Sequence, residues 1–362
     1  MSGGTSELSV GLVGCGVISE AHLSAWKKTP GFDVRGVFDT NREQADARAR
    51  RFGIGRVYEA LDDLIADCDV VDVCTPPASH ARIAEQALGH GRHLVMEKPM
   101  VTEVADWQRI RKLVDGTPTR IAVIHNLKFA HSVRTAKRWV TEGRIGKVVR
   151  IQREFLTHAS TDRMLVGDSH WSHKLPGGRW FETLPHELYL THWFVGALEL
   201  GSVTTQCSAQ AGPGAAADEV LVAMHGNDCI STFHYSGNCR ENRRMFTIQG
   251  SEGRIVVDLL SDFATINTMK DGTWRRAMGR SILEAGEVVV RGAADRGRYG
   301  VQRLRRESPH SRIIQSLAKS LLGQGEEPTP LDEVDYVVNY CDRIGREIDR
   351  QVAAVRAARK GS

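Results

Sequence analysis

The sequence predicts an α/β plus α+β protein. A doubly wound parallel sheet is expected over residues 1–125, followed by an α+β domain over 126–362 carrying a large, mostly antiparallel sheet. Three observations carry this reading. The chain has 362 residues, room for two domains of ordinary size. Up to about residue 125, short apolar runs alternate with amphipathic stretches that close on glycine. Beyond about residue 200, β-rich runs follow one another with only turn residues between them.

Taken in order, LSVGLVGCG (8–16) is an apolar strand running into glycines, and VRGVFD (34–39) is a second strand ending on an aspartate. Between them AHLSAWKKTPG reads as a helix stopped by Pro30-Gly31. REQADARARRFG is a polar helix ending at Gly53, and CDVVDVCTPP (68–77) is a third strand. SHARIAEQALGHG is a helix with Ser79 as its expected N-cap. HLVMEKP, ADWQRIRKLVDG and TRIAVIH continue as strand, helix and strand. Strands apolar on both faces and joined by helices belong to a parallel sheet covered on both sides. SVRTAKRWVTEGRIG then reads as a helix ending at Gly143 or Gly146, and KVVRIQREFLTH as a strand. VTTQCSAQA, EVLVAMHG, CISTFHYSG, RMFTIQG and RIVVDLL are the antiparallel strands. Trp107 and Trp139 sit on amphipathic helices as core or interface residues.

Composition excludes several function classes. Hydrophobic residues make up 41% and charged residues 25%, with a net charge of +4, so neither nucleic acid nor a membrane is an expected partner. No apolar run reaches the roughly 18–20 residues of a membrane helix, and MSGGTSELSV has no secretory pattern, so a cytoplasmic location is expected. Seven cysteines without a CxxC pair argue against a disulfide framework or a zinc knuckle.

Gly14-Cys15-Gly16-Val17-Ile18-Ser19 lies where the first strand meets its helix. The first glycine permits a tight turn, and the second lets a pyrophosphate approach the helix N-terminus. Ser19 stands where a third glycine is usual, which loosens the helix–strand packing argument. Asp39 ends the second strand 23 residues after Gly16; a carboxylate there accepts from a ribose 2′-OH and repels a 2′-phosphate, favouring NAD over NADP. Arg42, close by, softens that preference. Strand ends in such a sheet border the ligand, which brings Thr75, Pro76, His80, Glu97 and Lys98 into the cofactor site alongside Gly14, Gly16, Val17, Ile18 and Asp39.

The run VGCGVIS, VFDTN, VCTPPASH, GRHLVMEKPM, NLKFAHSVRTAKRWVTEGRIGKV and PGGRWFETLPHELYLTHWFVG resembles the glucose–fructose oxidoreductase / inositol dehydrogenase (Gfo/Idh/MocA) family. The resemblance covers residues 10 to about 196 and returns in the tail SRIIQSLAKSLLGQGEEPTPLDEVDYVVNYC; residues 200–307 share only a strand-rich character. It implies an N-terminal Rossmann domain and an α+β domain with one open sheet face. That face, expected to be a wide apolar patch, would pair subunits into a homodimer or homotetramer.

The resemblance also implies an NAD(P)-dependent oxidoreductase acting on a ring carbon of a sugar, cyclitol or nucleotide-linked sugar. Lys98 would meet the reacting oxygen and His186 would serve as general base, with Lys98 as the alternative proton carrier. Glu182 precedes His186 by four residues, a spacing that puts both on one helical face. The family has aspartate at that position, and often another aspartate where this chain has Tyr189. Pro185 suits only a first turn, so the helix is expected to begin near Glu182 or Thr183 and to stop at Gly196. Substrate contacts are expected at Asn126, Lys128, His170, Trp171, Arg179 and Tyr189. The histidines around the double glycine match no compact metal site, and no metal is expected. The arginine-rich stretch 275–306 reads as a solvated insertion, or as a capture site for an anionic substrate. Alternative functions on this scaffold are an NAD-dependent glycosidase and a non-catalytic dinucleotide-binding regulator.

Overall fold

The computed structural model describes residues 7–158, 160–162, 164–165, 170–208, 217–268, 286 and 308–360. The arginine-rich stretch 275–306 lies outside the described residues, Gly286 aside. The chain divides into two compact units: Met1–Asn126 with Ser308–Asn339, and Leu127–Glu307 with Tyr340–Ser362.

The first unit begins with β1 (Leu8–Val13), α1 (Ser19–Trp26), β2 (Phe32–Phe38), α2 (Arg42–Phe52), α3 (Leu61–Asp67) and β3 (Val70–Val73). It continues through α4 (His80–Gly89), β4 (His93–Met96), α5 (Val104–Val114) and β5 (Ile121–Val123). The strands form one sheet of order β2-β1-β3-β4-β5, every pair parallel. The order reverses at β1, so the crevice where such sheets bind ligands opens beyond the carboxyl ends of β1 and β3. One core cluster includes Leu64, Ile83, Leu88, Met96, Trp107 and Ile110; another includes Leu12, Leu23, Val37 and Ala45. In α5 the buried positions Trp107, Ile110 and Val114 recur at helical spacing, and that stripe holds the helix on the sheet. In α2 the Asn41 side chain accepts from the Gln44 N–H, and the helix closes at Gly53 as expected.

Two local expectations need correction. α3 was not anticipated: its buried stripe is only Leu61, Leu64 and Ile65, too short to register as a period. Ser79 occupies the N-cap of α4 but makes no capping hydrogen bond. Its hydroxyl instead binds Thr75 Oγ1 at 2.7 Å, because a 3-10 turn over Pro77–Ser79 feeds directly into the helix.

The second unit contains α6 (His131–Thr141), β6 (Val148–His158), α7 (Arg179–Val195), β7 (Glu199–Gln206), β8 (Glu219–Gly226), β9 (Cys229–Ser236), β10 (Asn238–Gly250), β11 (Arg254–Asp258) and β12 (Phe263–Asn267). These strands form a sheet of order β12-β11-β10-β6-β9-β8-β7, antiparallel except where β6 runs parallel to β9. α7 packs on β6 and β9. Asp262 caps α6, accepting from the N–H groups of His131 and Ser132 at 3.2 and 2.9 Å. Trp139, on α6, is buried, as Trp107 is in the first unit.

The outer sheet face is not the wide apolar patch expected. A cavity of about 540 Å³ there is lined by Arg150, Gln152, Glu154, Thr232, His234 and Arg254, among others. Leu221, which also lines it, and Ile230 on β9 are exposed apolar residues there. Alternation along each strand sends the large apolar side chains to the opposite, helix-covered face.

Two C-terminal helices follow, α8 (Pro309–Leu321) and α9 (Leu331–Lys360). α8 packs against α1 within the first unit, and the unit boundary at Asn339 falls inside α9. Among the described residues, no helix is long and apolar enough to cross a membrane.

Candidate cofactor and catalytic site

The glycine loop is shaped by its neighbours. Gly14 has φ +93, and a Cβ there would lie 2.8 Å from the Cys74 carbonyl carbon and from Thr75, so only glycine lets the ends of β1 and β3 approach this closely. A Cβ on Gly16 would meet nothing within 4 Å, and Val17 is 91% exposed. Ser19 is fully buried and donates to the Gly16 carbonyl at 2.5 Å, so it fits the packing it was expected to loosen. Asp39 accepts from the Cys15 N–H at 2.7 Å and from the Asn41 N–H at 2.8 Å, which ties the end of β2 to the loop. Arg48, on α2, donates to the carbonyls of Cys15 and Gly16 and pairs with Glu20. Arg42 is held by Asp46 and Glu59.

His80 is wholly buried and joins two strand ends: Nε2 lies 2.8 Å from the Thr75 carbonyl and Nδ1 2.9 Å from the Pro99 carbonyl. Burial lowers its pKa against the upward pull of those carbonyls. The Lys98–Pro99 bond is cis. Lys98 is half-buried, and its N–H donates to Glu97 Oε2 at 3.1 Å.

Behind Glu97 stands a network that the sequence reading missed. His22 is fully buried, with Nδ1 at 2.9 Å from Asp72 Oδ1 and Nε2 at 3.0 Å from Glu97 Oε1. Trp26 Nε1 donates to Asp72 at 2.7 Å. His310, from α8, brings Nε2 to 3.6 Å from Glu97 Oε1. Burial disfavours charge on His22, but the Asp72 carboxylate outweighs it and holds the pKa well above the usual imidazole value. Burial likewise opposes ionisation of Glu97, yet the His22 hydrogen bond keeps its carboxyl below the usual range. Burial drives His310 down to about 4. The donor atoms of His22, Glu97 and His310 lie within 4.8 Å of one another, a separation that metal sites also show. The direct His22–Glu97 contact at 3.0 Å accounts for that separation without an ion. One signal was available in advance: Asp72 interrupts the buried run VVDV, and a buried carboxylate requires a partner.

In the second unit, α7 starts at Arg179, three residues before the earliest expected position, and Pro185 lies inside it. Arg179 is the reason. Its guanidinium donates to Glu182 at 3.0 Å and to Thr183 Oγ1 at 2.7 Å across the first turn, and to Asp162 at 3.1 Å. The helix ends at Gly196, as expected. His186 Nδ1 lies 2.7 Å from the Tyr189 hydroxyl, and that oxygen accepts from the Leu127 N–H at 3.0 Å. Glu182 is thus paired with Arg179, while buried Tyr189 holds the His186 ring. Lys128 is buried with its ammonium 5.8 Å from the Trp193 ring centroid. His170 caps the short turn over Trp171–Lys174, accepting from the Ser172 N–H. Asn126, at the end of the first unit, lies 3.3 Å from His310 through its amide nitrogen.

Two family descriptions match this arrangement. Residues 8–125 match "Oxidoreductase family, NAD-binding Rossmann fold", and residues 133–256 match "GFO/IDH/MocA C-terminal domain". The chain belongs to the GFO/IDH/MocA oxidoreductase family. The match runs into the strand-rich middle as far as residue 256, beyond the stretch that motifs alone had reached. Levoglucosan dehydrogenase of Pseudarthrobacter phenanthrenivorans is 27% identical over 69% of this chain and 73% of its own length. Glucose-6-phosphate 3-dehydrogenase of Bacillus subtilis is 26% identical over 42% of this chain and 44% of its own. The WlbA dehydrogenase of Bordetella pertussis, solved with NADH and UDP-GlcNAcA, shares the fold with a TM-score of 0.75 at 20% identity, covering 95% of this chain and 96% of that one.

The family's NAD-binding domain is the first unit's sheet, and its residues fit that cofactor. The Gly14 turn, the open side of Gly16, the exposed Val17 and the Asp39 carboxylate at the end of β2 together leave a cradle of the kind that suits a dinucleotide.

Proposed function

We propose that this oxidoreductase is an NAD-dependent dehydrogenase of a polyhydroxylated carbohydrate: a sugar, a cyclitol or a nucleotide-linked sugar. One observation carries the reading. Lys98 leaves the carboxyl end of β4, in the same sheet whose β1 end carries the glycine loop, so a cation stands on the cofactor's side of that sheet. The names of sugar dehydrogenases among its relatives support the substrate class.

Gly14, Gly16, Val17 and Ile18 would hold the pyrophosphate, and Asp39 the adenosine ribose. Bound NAD supplies the acceptor for the electron pair leaving the alcohol carbon. Lys98 donates to the reacting oxygen, placing positive charge where negative charge develops. His186 takes the hydroxyl proton, its ring held from behind by Tyr189. Glu182 acts at one remove, bracing Arg179 and the first turn of α7.

The test is reduced-nicotinamide absorbance with NAD across inositols, aldoses, uronates and sugar nucleotides. Turnover on a member of that panel is expected. Release of free sugar from glycosides without net NADH would overturn the reading in favour of a glycosidase.

Asp39 predicts the cofactor preference. Arg42, the cation the sequence set beside it, is held by Asp46 and Glu59 instead. Asp39→Ala is expected to lower kcat/KM with NAD about 10- to 100-fold, the value of a charged hydrogen bond, and to leave NADP use unchanged or improved. Equal losses with both cofactors would show that Asp39 serves only the loop.

A further inference from the structure

We propose that His22 and His310 are positioning residues for Lys98, acting through the Glu97 carboxylate. The inference rests on the reading of Lys98 as the group that meets the reacting oxygen. Four ionisable side chains from four elements converge here: His22 from α1, Asp72 from β3, Glu97 from the end of β4 and His310 from α8. His22 and Asp72 are fully buried and Glu97 is 7% exposed. Stability alone does not call for such a cluster, because well-packed apolar side chains of similar volume hold a core as well or better.

The contacts have a direction. Trp26 donates to Asp72, and His22 faces Asp72 with Nδ1 and Glu97 with Nε2. Glu97 then accepts the Lys98 N–H through its second oxygen. An imidazole lying between two carboxylates uses both nitrogens as donors only when it carries both protons, so His22 is an imidazolium. The other groups facing this line do not compete for its protons. Cys74 Sγ lies 3.9 Å from Asp72, and burial pushes its thiol up to about 12. His310 stays neutral, with the Asn126 amide at its Nε2. His310 Nε2 approaches the same oxygen as His22, Oε1, at 3.6 Å, and its ring centroid lies 5.8 Å from that of His22. The carboxylate is therefore held at Oε1 by His22 and at Oε2 by the Lys98 N–H, and with it the peptide from which the Lys98 side chain departs. A reacting group displaced by about 1 Å loses on the order of 100-fold in rate, so this placement bears on catalysis.

The test joins histidine 15N NMR with steady-state kinetics on the full chain. His22 is expected to remain doubly protonated at pH 8 in the parent, to lose that signature in Asp72→Asn, whose carboxylate holds its pKa up, and to keep it in Glu97→Gln. In Glu97→Gln kcat is expected to fall about 10- to 100-fold, with KM for the carbohydrate unchanged. His310→Leu is expected to lower kcat in the same direction while His22 keeps both protons. Parent-like kcat in Glu97→Gln, or stoichiometric zinc at His22, Glu97 and His310 in the purified protein, would overturn the inference. Full activity in Lys98→Ala would overturn the assignment of Lys98 itself; loss there with parent-like kcat in Glu97→Gln would remove only the positioning role.

Discussion

Lys98→Ala is expected to lower kcat about 100- to 1,000-fold, the range seen when one donor to a developing oxyanion is removed. Binding of NADH, read by nicotinamide fluorescence, should stay near the parent value, because the pyrophosphate and ribose contacts assigned to Gly14, Gly16 and Asp39 lie on other strand ends. Lys98→Arg is expected to recover little. A guanidinium is planar and longer, and it replaces a compact point charge poorly where one oxygen must be met. A variant that kept full turnover on a substrate used by the parent would end the assignment of Lys98. A variant that lost NADH binding together with turnover would recast the lysine as a cofactor ligand.

Arg153→Ala is expected to destabilise the second unit by about 3–5 kcal/mol, the cost of leaving a buried partner charge uncompensated. Arg153 on β6 is 3% exposed and Glu187 on α7 is 1% exposed. The guanidinium grips the carboxylate in two places, by Nε to Oε2 and by Nη2 to Oε1 at 3.1 Å. It also lies 5.0 Å over the Phe246 ring. Glu187 directly follows His186, so the pair fastens the helix that carries His186 and Tyr189 to the sheet. The measurement is the urea midpoint by tryptophan fluorescence. The double change Arg153→Met with Glu187→Leu should recover most of the loss, since it leaves neither charge buried. A single variant within about 1 kcal/mol of the parent would show that solvent reaches the pair.

Much of the site was legible because its signals are local. The glycine turn, Asp39 at the end of β2 and Glu97-Lys98-Pro99 after β4 each lie within a few residues of a recognisable strand end, and strand ends in a parallel sheet share one edge. His22, Asp72 and His310 were harder to see. His22 and Asp72 are 50 residues apart, and Glu97 and His310 more than 200, so their partnership comes from topology. The pairing of Glu182 with Arg179 was missed for another reason. Spacing puts Glu182 within reach of Arg179, but the contact depends on a guanidinium that Asp162 and Thr183 also hold.

The sequence by itself determined the two kinds of sheet, the glycine loop, the carboxylate at the end of β2 and the lysine after β4. Periodicity, turn residues and strand-end position act over short stretches of chain, where they can be read directly. Only the tertiary structure decided that His22 and His310 both reach the Glu97 carboxylate, that α7 opens on Arg179 and its acidic partners, and that the outer face of the large sheet is polar. Those features depend on which distant side chains share a buried space, where each polar group must find a partner, and neighbouring residues cannot specify that.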